Sequence, residues 1–149
     1  FCRVMLPQLS IYNRQRKRAI PLPWLRKVGA AAMPACLAAL KSSGAPLASL
    51  SEVEVSIVSD KEIARVHGEF LDDPTPTDVI TFHHGEILIS ADTAERQGRE
   101  HNQSVDHEVA LYLVHGLMHL AGWDDHESNE AREMAKRQEM ILRDALRAV

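Results

Sequence analysis

The sequence predicts a single layered domain in which a four-stranded sheet packs against about five helices. Three observations support this fold class. The 149 residues suit one domain with its own core. Short stretches of strand character alternate with helical ones, and no repeat, linker or low-complexity tract divides them. With 45% hydrophobic and 26% charged residues, and no apolar run near ~20 residues, the composition is that of a soluble globular protein without a membrane span.

The first half of the chain provides two predicted strands and two predicted helices. A strand is expected at QLSIYN (8–13) and a helix from about Pro23 to Lys41. VEVSIVS (53–59) has the β-branched character of a strand. Ser59, three residues before a glutamate, predicts a capping box that starts a helix running to about Phe70. The turn-rich DDPTPTD loop follows.

The second half contains a hairpin and three helices. VITFH (79–83) and EILIS (86–90) are separated by only two residues, which indicates paired strands. ADTAERQGREH (91–101) is typical of an exposed helix. A serine that can cap precedes a long helix from about Val105 to Ala121, whose wide apolar stripe predicts burial. An amphipathic closing helix is expected from about Ser128 to Ala148.

The charges are distributed very unevenly along the chain. Residues 1–51 carry +8 and residues 52–149 carry −12, for a net charge of −4. The basic residues of the first third are Arg3, Arg14, Arg16, Lys17, Arg18, Arg26, Lys27 and Lys41. Such a block favours a polyanion such as nucleic acid. Its alternatives are a solvated face and a targeting segment over residues 14–40, although Pro34 and the lack of a cleavage pattern argue against targeting.

The cysteines indicate the cellular compartment of the protein, and the first residue concerns the N terminus of the chain. Cys2 and Cys36 lie far apart without CxxC spacing, which predicts neither a disulfide framework nor a thiolate metal site. A cytoplasmic location therefore fits best. Because the chain begins with Phe1 rather than Met, a trimmed or incomplete N terminus is expected.

The stretch VHGLMHLAGWDDH (114–126) has the composition of a metal site. His115 and His119 are four residues apart, so on a helix both imidazoles can reach one ion. Gly122 lets the chain turn back, and His126 can then supply a third nitrogen. Three imidazoles with an open position are typical of catalytic zinc, since structural zinc usually has four protein ligands. The alternative is that these are core histidines with satisfied hydrogen bonds.

The spacing also invites comparison with zinc peptidases. Their HExxH motif places a glutamate directly after the first histidine to act as general base. Here that position is Gly116. The sequence therefore favours a metal but argues against peptide hydrolysis.

Three motifs in the same order resemble the YbeY-type endoribonucleases of bacterial rRNA maturation: PTDVITF (76–82), GEILIS (85–90) and VHGLMHLAGWDDH. The resemblance runs from about Val53 to Leu142, and EMAKRQEMIL resembles the closing helix of the family. It implies an α+β single domain with a small mixed sheet and a zincin/metzincin-like metal helix. It further implies one zinc ion per chain, cleavage of single-stranded RNA in ribosomal RNA maturation and quality control, and the ribosome or its small-subunit proteins as partners.

The third metal ligand departs from the family pattern. The family commonly places a histidine three residues after the glycine, where this chain has Asp125, and His126 follows one residue later. Either the loop holds one extra residue and His126 binds, or Asp125 is an oxygen ligand. We expect His115, His119 and His126 to hold the metal. A loop accommodates one extra residue easily, and three neutral imidazoles leave the full positive charge of the metal available to bind a phosphate.

Two further positions qualify the resemblance. Leu71 stands where the family usually has an arginine that would be expected to grip phosphate; Lys61 and Arg65 are candidates to compensate. Glu108 lies about two helical turns before His115, so it could support a ligand, or it is an acid favoured by the helix dipole. Asp78 is interpreted as the cap of its turn, and the general base is not identified.

Three functions from different classes follow. A metal-dependent endoribonuclease leads, ahead of a minimal zinc metallopeptidase and of a ribosome-associated binding protein with a structural metal. Gly116 and the basic first third separate the first from the second. Only a measurement of activity separates it from the third.

Overall fold

Helices and strands alternate in the computed structural model of the chain, which describes residues 6–149. Cys2 and Arg3 therefore lie outside the described residues. The strands are β1 (Gln8–Asn13), β2 (Glu52–Val58), β3 (Val79–Phe82) and β4 (Glu86–Ser90). The α-helices are α1 (Leu22–Ala38), α2 (Asp60–Leu71), α3 (Ala91–Glu100), α4 (Val105–Leu120) and α5 (Ser128–Arg147). No helix in this part of the chain has the length and apolar character that crossing a membrane requires.

The four strands form one mixed sheet in the order β1-β2-β4-β3. β1 and β4 both run parallel to β2, whereas β3 is antiparallel to β4 and forms the edge. The predicted four-stranded sheet and the predicted hairpin are both confirmed. Gly85 closes the hairpin with a φ of 105°, a conformation that favours glycine.

The main core lies between the inner face of the sheet and helices α1, α4 and α5. α4 is apolar almost all round and buries ten of its residues, as its wide apolar stripe predicted. α1 contributes Leu25, Val28 and Met33 to the same core. The stretch considered as a targeting segment is thus built into the fold.

The outer face of the sheet is covered only in part. α2 places Ile63 and Val66 against Val58, Ile80 and Leu88, which together form a small second core cluster. Among residues 6–149, no helix covers the part of this face nearer β1. It forms an open cleft, described further below.

Two helices begin at the predicted serine caps, whereas two other helix ends differ from the sequence-based expectation. Ser59 and Ser104 accept hydrogen bonds from the backbone N–H groups three residues on, at 3.2 and 3.1 Å, as predicted. α1 ends at Ala38, before the predicted Lys41, because the Lys41 N–H donates to the carbonyl after α4 instead. The N-cap of α5 is Glu127 and not Ser128, since the Glu127 carboxylate accepts two backbone N–H groups.

α3 differs from the exposed helix that its polar sequence predicted. Ala91, Thr93, Ala94 and Gly98 are buried on one side. A Cβ atom at Gly98 would lie 2.7 Å from the carbonyl oxygen of Gln103. Because Gly98 has no side chain, the loop that connects α3 to α4 can pack closely against α3.

Replacing Gly116 by Ala should destabilise the fold, because α4 touches the sheet at this residue. An added Cβ atom would lie 2.8 Å from Cδ1 and 3.0 Å from Cγ2 of Ile87 on β4. The gain in helix propensity is at most about 1 kcal/mol, whereas overpacking a dense core costs about 1–3 kcal/mol. We expect a net loss of about 1 kcal/mol in the free energy of unfolding, measured by urea denaturation.

Gly44→Ala is the matched control, since a Cβ atom there meets nothing within 4 Å. Its free energy of unfolding should stay within about 0.5 kcal/mol of the wild type. An equally stable Gly116→Ala protein would show that α4 does not depend on this close approach.

Candidate metal centre

The two histidines of α4 form a pair at its C-terminal end. The rings of His115 and His119 lie 4.6 Å apart between centroids, and their Nε2 atoms are 3.0 Å apart. Both side chains are about one quarter exposed. The predicted i,i+4 pairing on one helix face is therefore present.

The other ring nitrogen of each histidine is hydrogen-bonded to a carbonyl oxygen. Nδ1 of His115 donates to Oε1 of Gln138 at 2.7 Å, and Nδ1 of His119 donates to the backbone oxygen of Trp123 at 2.9 Å. Because a carbonyl oxygen only accepts, both protons sit on Nδ1. In the neutral ring, each Nε2 then carries the lone pair that can bind a metal.

The two Nε2 atoms face each other, and two lone pairs cannot form a hydrogen bond without a proton between them. A cation between them satisfies both. Two nitrogens bound to one tetrahedral zinc ion, at about 2.0–2.1 Å each, would lie roughly 3.3 Å apart, close to the 3.0 Å found here. The donor set therefore fits a metal.

Electrostatics keep the His119 ring ready to bind. Burial, and then the neighbouring His115, lower the pKa of His119 below its usual value. Its imidazole is accordingly neutral at neutral pH. Only the neutral ring offers a lone pair to a metal.

The turn after α4 positions the backbone around the pair. Gly122 has a φ of 97°. Its N–H donates to the backbone oxygen of His119 at 3.0 Å, and the Trp123 N–H donates to the backbone oxygen of Met118 at 3.1 Å. This pattern is a Schellman motif, which requires a residue such as glycine in the left-handed region. The predicted helix stop at Gly122 is thus confirmed, and the turn brings the Trp123 carbonyl to Nδ1 of His119.

Asp125, rather than His126, lies beside the imidazole pair. Its Oδ2 atom is 3.7 Å from Nε2 of His115 and 3.8 Å from Nε2 of His119. These three side chains form a group that could hold a metal ion. The His126 side chain is 90% exposed, with Nε2 3.5 Å from Asp124. The structure does not bring the imidazole of His126 to the other two, and the three-histidine ligand set stays a prediction.

The pair opens into a pocket of about 380 Å³ between α4, β3 and the end of α2. We call it the metal pocket. Besides the residues of the motif, its lining includes His67, Leu71, Asp78, Thr81 and His83. No lysine or arginine lines it among residues 6–149. Sequence reasoning missed His67 and His83, because neither belongs to a spaced ligand motif.

The predicted compensation for Leu71 is not found. Leu71 is 53% exposed in the metal pocket. Arg65 instead pairs with Glu62 and Glu69 along α2 and lines the cleft on the other side of that helix, and Lys61 lines neither cavity. The helical period is the reason, since residues 61 and 65 share a face that residues 67 and 71 do not.

Two acids considered from the sequence have structural roles. Glu108 is buried in the first turn of α4, 3.7 Å from His101, and does not line the metal pocket. Its position agrees with an acid favoured by the helix dipole. Asp78 accepts the Val79 N–H at 2.8 Å, as a turn cap should, and also lines the pocket.

Elements distant in sequence hold this end of α4 in place. Nε1 of Trp123 donates to the Ala39 oxygen at 2.7 Å, and the indole lies between the cations of Lys41 and Arg137, 4.5 and 4.9 Å from the ring. α5 supplies Gln138 to His115. Sequence reasoning missed Gln138, because one amide on the polar face of an amphipathic helix carries no signal of its own.

Fold and site together define an α+β protein with a candidate metal centre on a buried helix. Comparison with known proteins then gives the family: residues 10–145 match the family model described as Endoribonuclease YbeY. The chain belongs to this family, as the three motifs predicted.

Individual relatives agree with this assignment. The Endoribonuclease YbeY of Geobacter metallireducens is 35% identical over 90% of this chain and 93% of its own length. The Endoribonuclease YbeY of Heliobacterium modesticaldum is 32% identical over 71% of this chain and 76% of its own length. The solution structure of TM1509 from Thermotoga maritima superposes with a TM-score of 0.61, at 24% identity, over 93% of this chain and 89% of that one. This likeness confirms the α+β fold class.

Gln138→Leu should weaken metal binding without unfolding the protein. The substitution removes the acceptor that holds the proton on Nδ1 of His115, and losing such a partner typically costs about 10–100-fold in metal affinity. Competition with a chromophoric chelator, using zinc as the probe, measures the change. Gln138→Glu keeps an acceptor and should bind nearly as the wild type does. Equal affinity in the leucine variant would contradict the orienting role.

Proposed function

We propose that this protein is a metal-dependent endoribonuclease that cleaves single-stranded RNA during ribosomal RNA maturation and quality control. The observation that carries the proposal is the pair of imidazole Nε2 atoms, 3.0 Å apart, facing an open pocket. Membership of a family described as Endoribonuclease YbeY supports the choice of RNA as substrate. Gly116, at the position of the peptidase glutamate, does not favour peptide hydrolysis.

Zinc, one ion per chain, is the metal of this proposal. Imidazole and carboxylate donors suit zinc, and two or three protein ligands leave a position open for a substrate. When bound, zinc supplies Lewis acidity toward a phosphoryl oxygen and an attacking water. His115 and His119 would hold the ion through Nε2.

For the third ligand, the contacts of the structure favour Asp125. Its carboxylate already lies within 4 Å of both Nε2 atoms. Binding through His126 requires its exposed side chain to turn inward and the carboxylate to give way. Asp125 is therefore the ligand we propose, with His126, favoured by the sequence, as the alternative to be tested.

The metal pocket itself suggests how phosphate would be bound. With Leu71 at its wall and no lysine or arginine along the described lining, the metal has to supply most of the positive charge. His67, His83 and His126 are the other imidazoles along the described lining. RNA cleavage should thus depend strongly on metal occupancy.

Location and partners complete the proposal. Cys36 is a free thiol whose pKa burial raises to about 12, so it is an inert part of the core. The cytoplasm is the compartment we propose, and the ribosome or its small-subunit proteins are the partners. A pull-down of tagged protein from a bacterial lysate, probed for small-subunit proteins, would test this part.

Removal of the metal should abolish RNA cleavage. We expect the purified protein to contain about one zinc per chain, and chelation to stop cleavage of a structured rRNA fragment, with zinc restoring it. His119→Ala should lose both the metal and the activity, since one of two imidazole ligands is gone. Metal analysis and gel assays provide the readouts.

A matched control is His101→Ala, which removes a histidine on the surface away from the metal pocket and should keep both properties. Stoichiometric zinc without cleavage of any RNA would favour the binding protein with a structural metal. Stoichiometric zinc in a protein with both His115 and His119 replaced would refute the site itself.

The third ligand is decided by comparing two single variants. Asp125→Ala should lower zinc affinity well beyond the 10–100-fold typical of a supporting residue, because a bond to the metal is lost. His126→Ala should then bind zinc nearly as the wild type does. The reverse order would establish the three-histidine set. Titration of each apo protein with zinc, against a chelator of known affinity, measures both.

A further inference from the structure

A second and larger cavity lies on the outer face of the sheet. It measures about 1060 Å³ and runs between α2 and the loop that follows β1. We call it the outer cleft. This volume is at the upper end of the 300–1,000 Å³ typical of ligand sites, and the chemistry at the metal pocket does not use it.

One end of the outer cleft is an aromatic platform. His84 stacks on Phe82 with ring centroids 5.5 Å apart and planes at 16°, and Phe70 meets Phe82 edge-on at 5.7 Å. Phe70 is 61% exposed. Two of the three phenylalanines of the chain are here: Phe70 is exposed, and Phe82 is half-buried against the second core cluster. Exposed rings of this kind are what unpaired bases stack on.

The other end of the outer cleft is basic. Arg14, Arg16 and Lys17 line it from the loop after β1. Arg14 is engaged with Ser56 and Glu54, at 2.9 and 3.3 Å. Arg16 and Lys17 are exposed and form no ion pair with any of residues 6–149. Both side chains are therefore available to bind an anion.

The acids of the cleft are mostly neutralised. Glu54 pairs with Arg14, and Glu62 pairs with Arg65. Asp92 pairs with Arg18, which lies on the loop after β1. Glu86 remains, 4.0 Å from the His84 ring at the aromatic end. Phosphate groups are therefore favoured at the basic end, away from Glu86.

The outer cleft adjoins the metal pocket. β3 contributes to both cavities: Phe82 lines the outer cleft, whereas Val79, Ile80 and Thr81, with His83 just after the strand, line the metal pocket. The last turn of α2 divides in the same way, with Phe70 in the cleft and Leu71 in the pocket. Only the edge strand and this turn separate the two cavities.

We propose that the outer cleft binds the single-stranded RNA beyond the nucleotide held at the metal, with a base stacked on Phe70, Phe82 and His84 and phosphates on Arg16 and Lys17. This inference rests on the proposed function. It also gives a use to the basic first third of the chain, since no lysine or arginine of residues 6–149 lines the metal pocket.

The basic end is tested by the salt dependence of binding. A labelled single-stranded oligoribonucleotide is titrated with protein in the presence of chelator, and gels verify that the RNA stays intact. Each phosphate contact on a single strand contributes about −0.7 to the slope of log K against log salt. Arg16→Gln with Lys17→Gln should therefore flatten the slope by about 1.4.

The aromatic end is tested by Phe70→Ala. Loss of one stacked base should weaken binding about 5- to 150-fold, as stacking contributes roughly 1–3 kcal/mol per base. The slope should stay unchanged, because no charge is removed. An abasic polymer of the same charge should bind both proteins equally.

Matched controls remove the same groups elsewhere. Lys27→Gln with Lys136→Gln removes two exposed cations, and Met140→Ala removes an exposed apolar side chain, 49% exposed on α5. Both controls should bind RNA as the wild type does. Since every substituted side chain is exposed, thermal unfolding should be unchanged throughout.

The two proposals fail in different ways. If wild-type protein neither binds nor cleaves RNA, the proposed function fails. If the wild type binds and cleaves but the cleft variants match it in affinity and slope, the outer cleft does not hold the RNA; its occupant is then something else, such as a protein partner. Equal losses in the cleft and control variants would likewise overturn the inference.

Discussion

The convergence of two imidazole nitrogens on one point is the constraint around which the rest of the structure is arranged. Lone pairs on two neutral rings repel each other, so other groups have to hold each ring in place. A carbonyl oxygen on Nδ1 of each histidine does this. One carbonyl comes from the turn after α4 and the other from α5, and both depend on packing far from the pocket.

That packing explains why α4 is so apolar. A helix buried on nearly every side cannot shift or rotate without breaking the dense interior, and the contact of Gly116 with β4 sets its distance from the sheet. Just after α4, the Trp123 indole N–H bonds to Ala39 at the end of α1, and its ring contacts the cations of Lys41 and of Arg137 on α5. The core therefore provides the rigidity that a preformed metal site needs, and bound metal would in turn add to stability.

The edge strand β3 divides the remaining chemistry between two cavities. Its side chains supply one wall to the metal pocket and an aromatic ring to the outer cleft. Basic groups lie with the second cavity and are absent from the described lining of the first. A substrate that needs both a metal and positive charge would have to span both, which a long flexible polyanion can do and a small molecule cannot.

Local sequence patterns were sufficient to predict most of the elements. The caps at Ser59 and Ser104, the hairpin and the i,i+4 histidine pair each depend on residues within a few positions of one another. Three motifs likewise identified the family. The C-terminal end of α1 and the burial of α3 were not predictable in this way, since contacts with residues far from α1 or outside α3 decide them.

Tertiary structure alone decided what surrounds the imidazoles. Whether Asp125 or His126 faces the pair depends on how a loop leaves its turn, and adjacent residues of a loop follow no fixed period. Gln138 reaches His115 across 23 residues because α5 packs beside α4. Residues 65 and 71 line different cavities because they lie on different faces of α2, which separates the two cavities. Spacing along a helix determines which side chains share a face, but only the packing of that helix determines what the face meets.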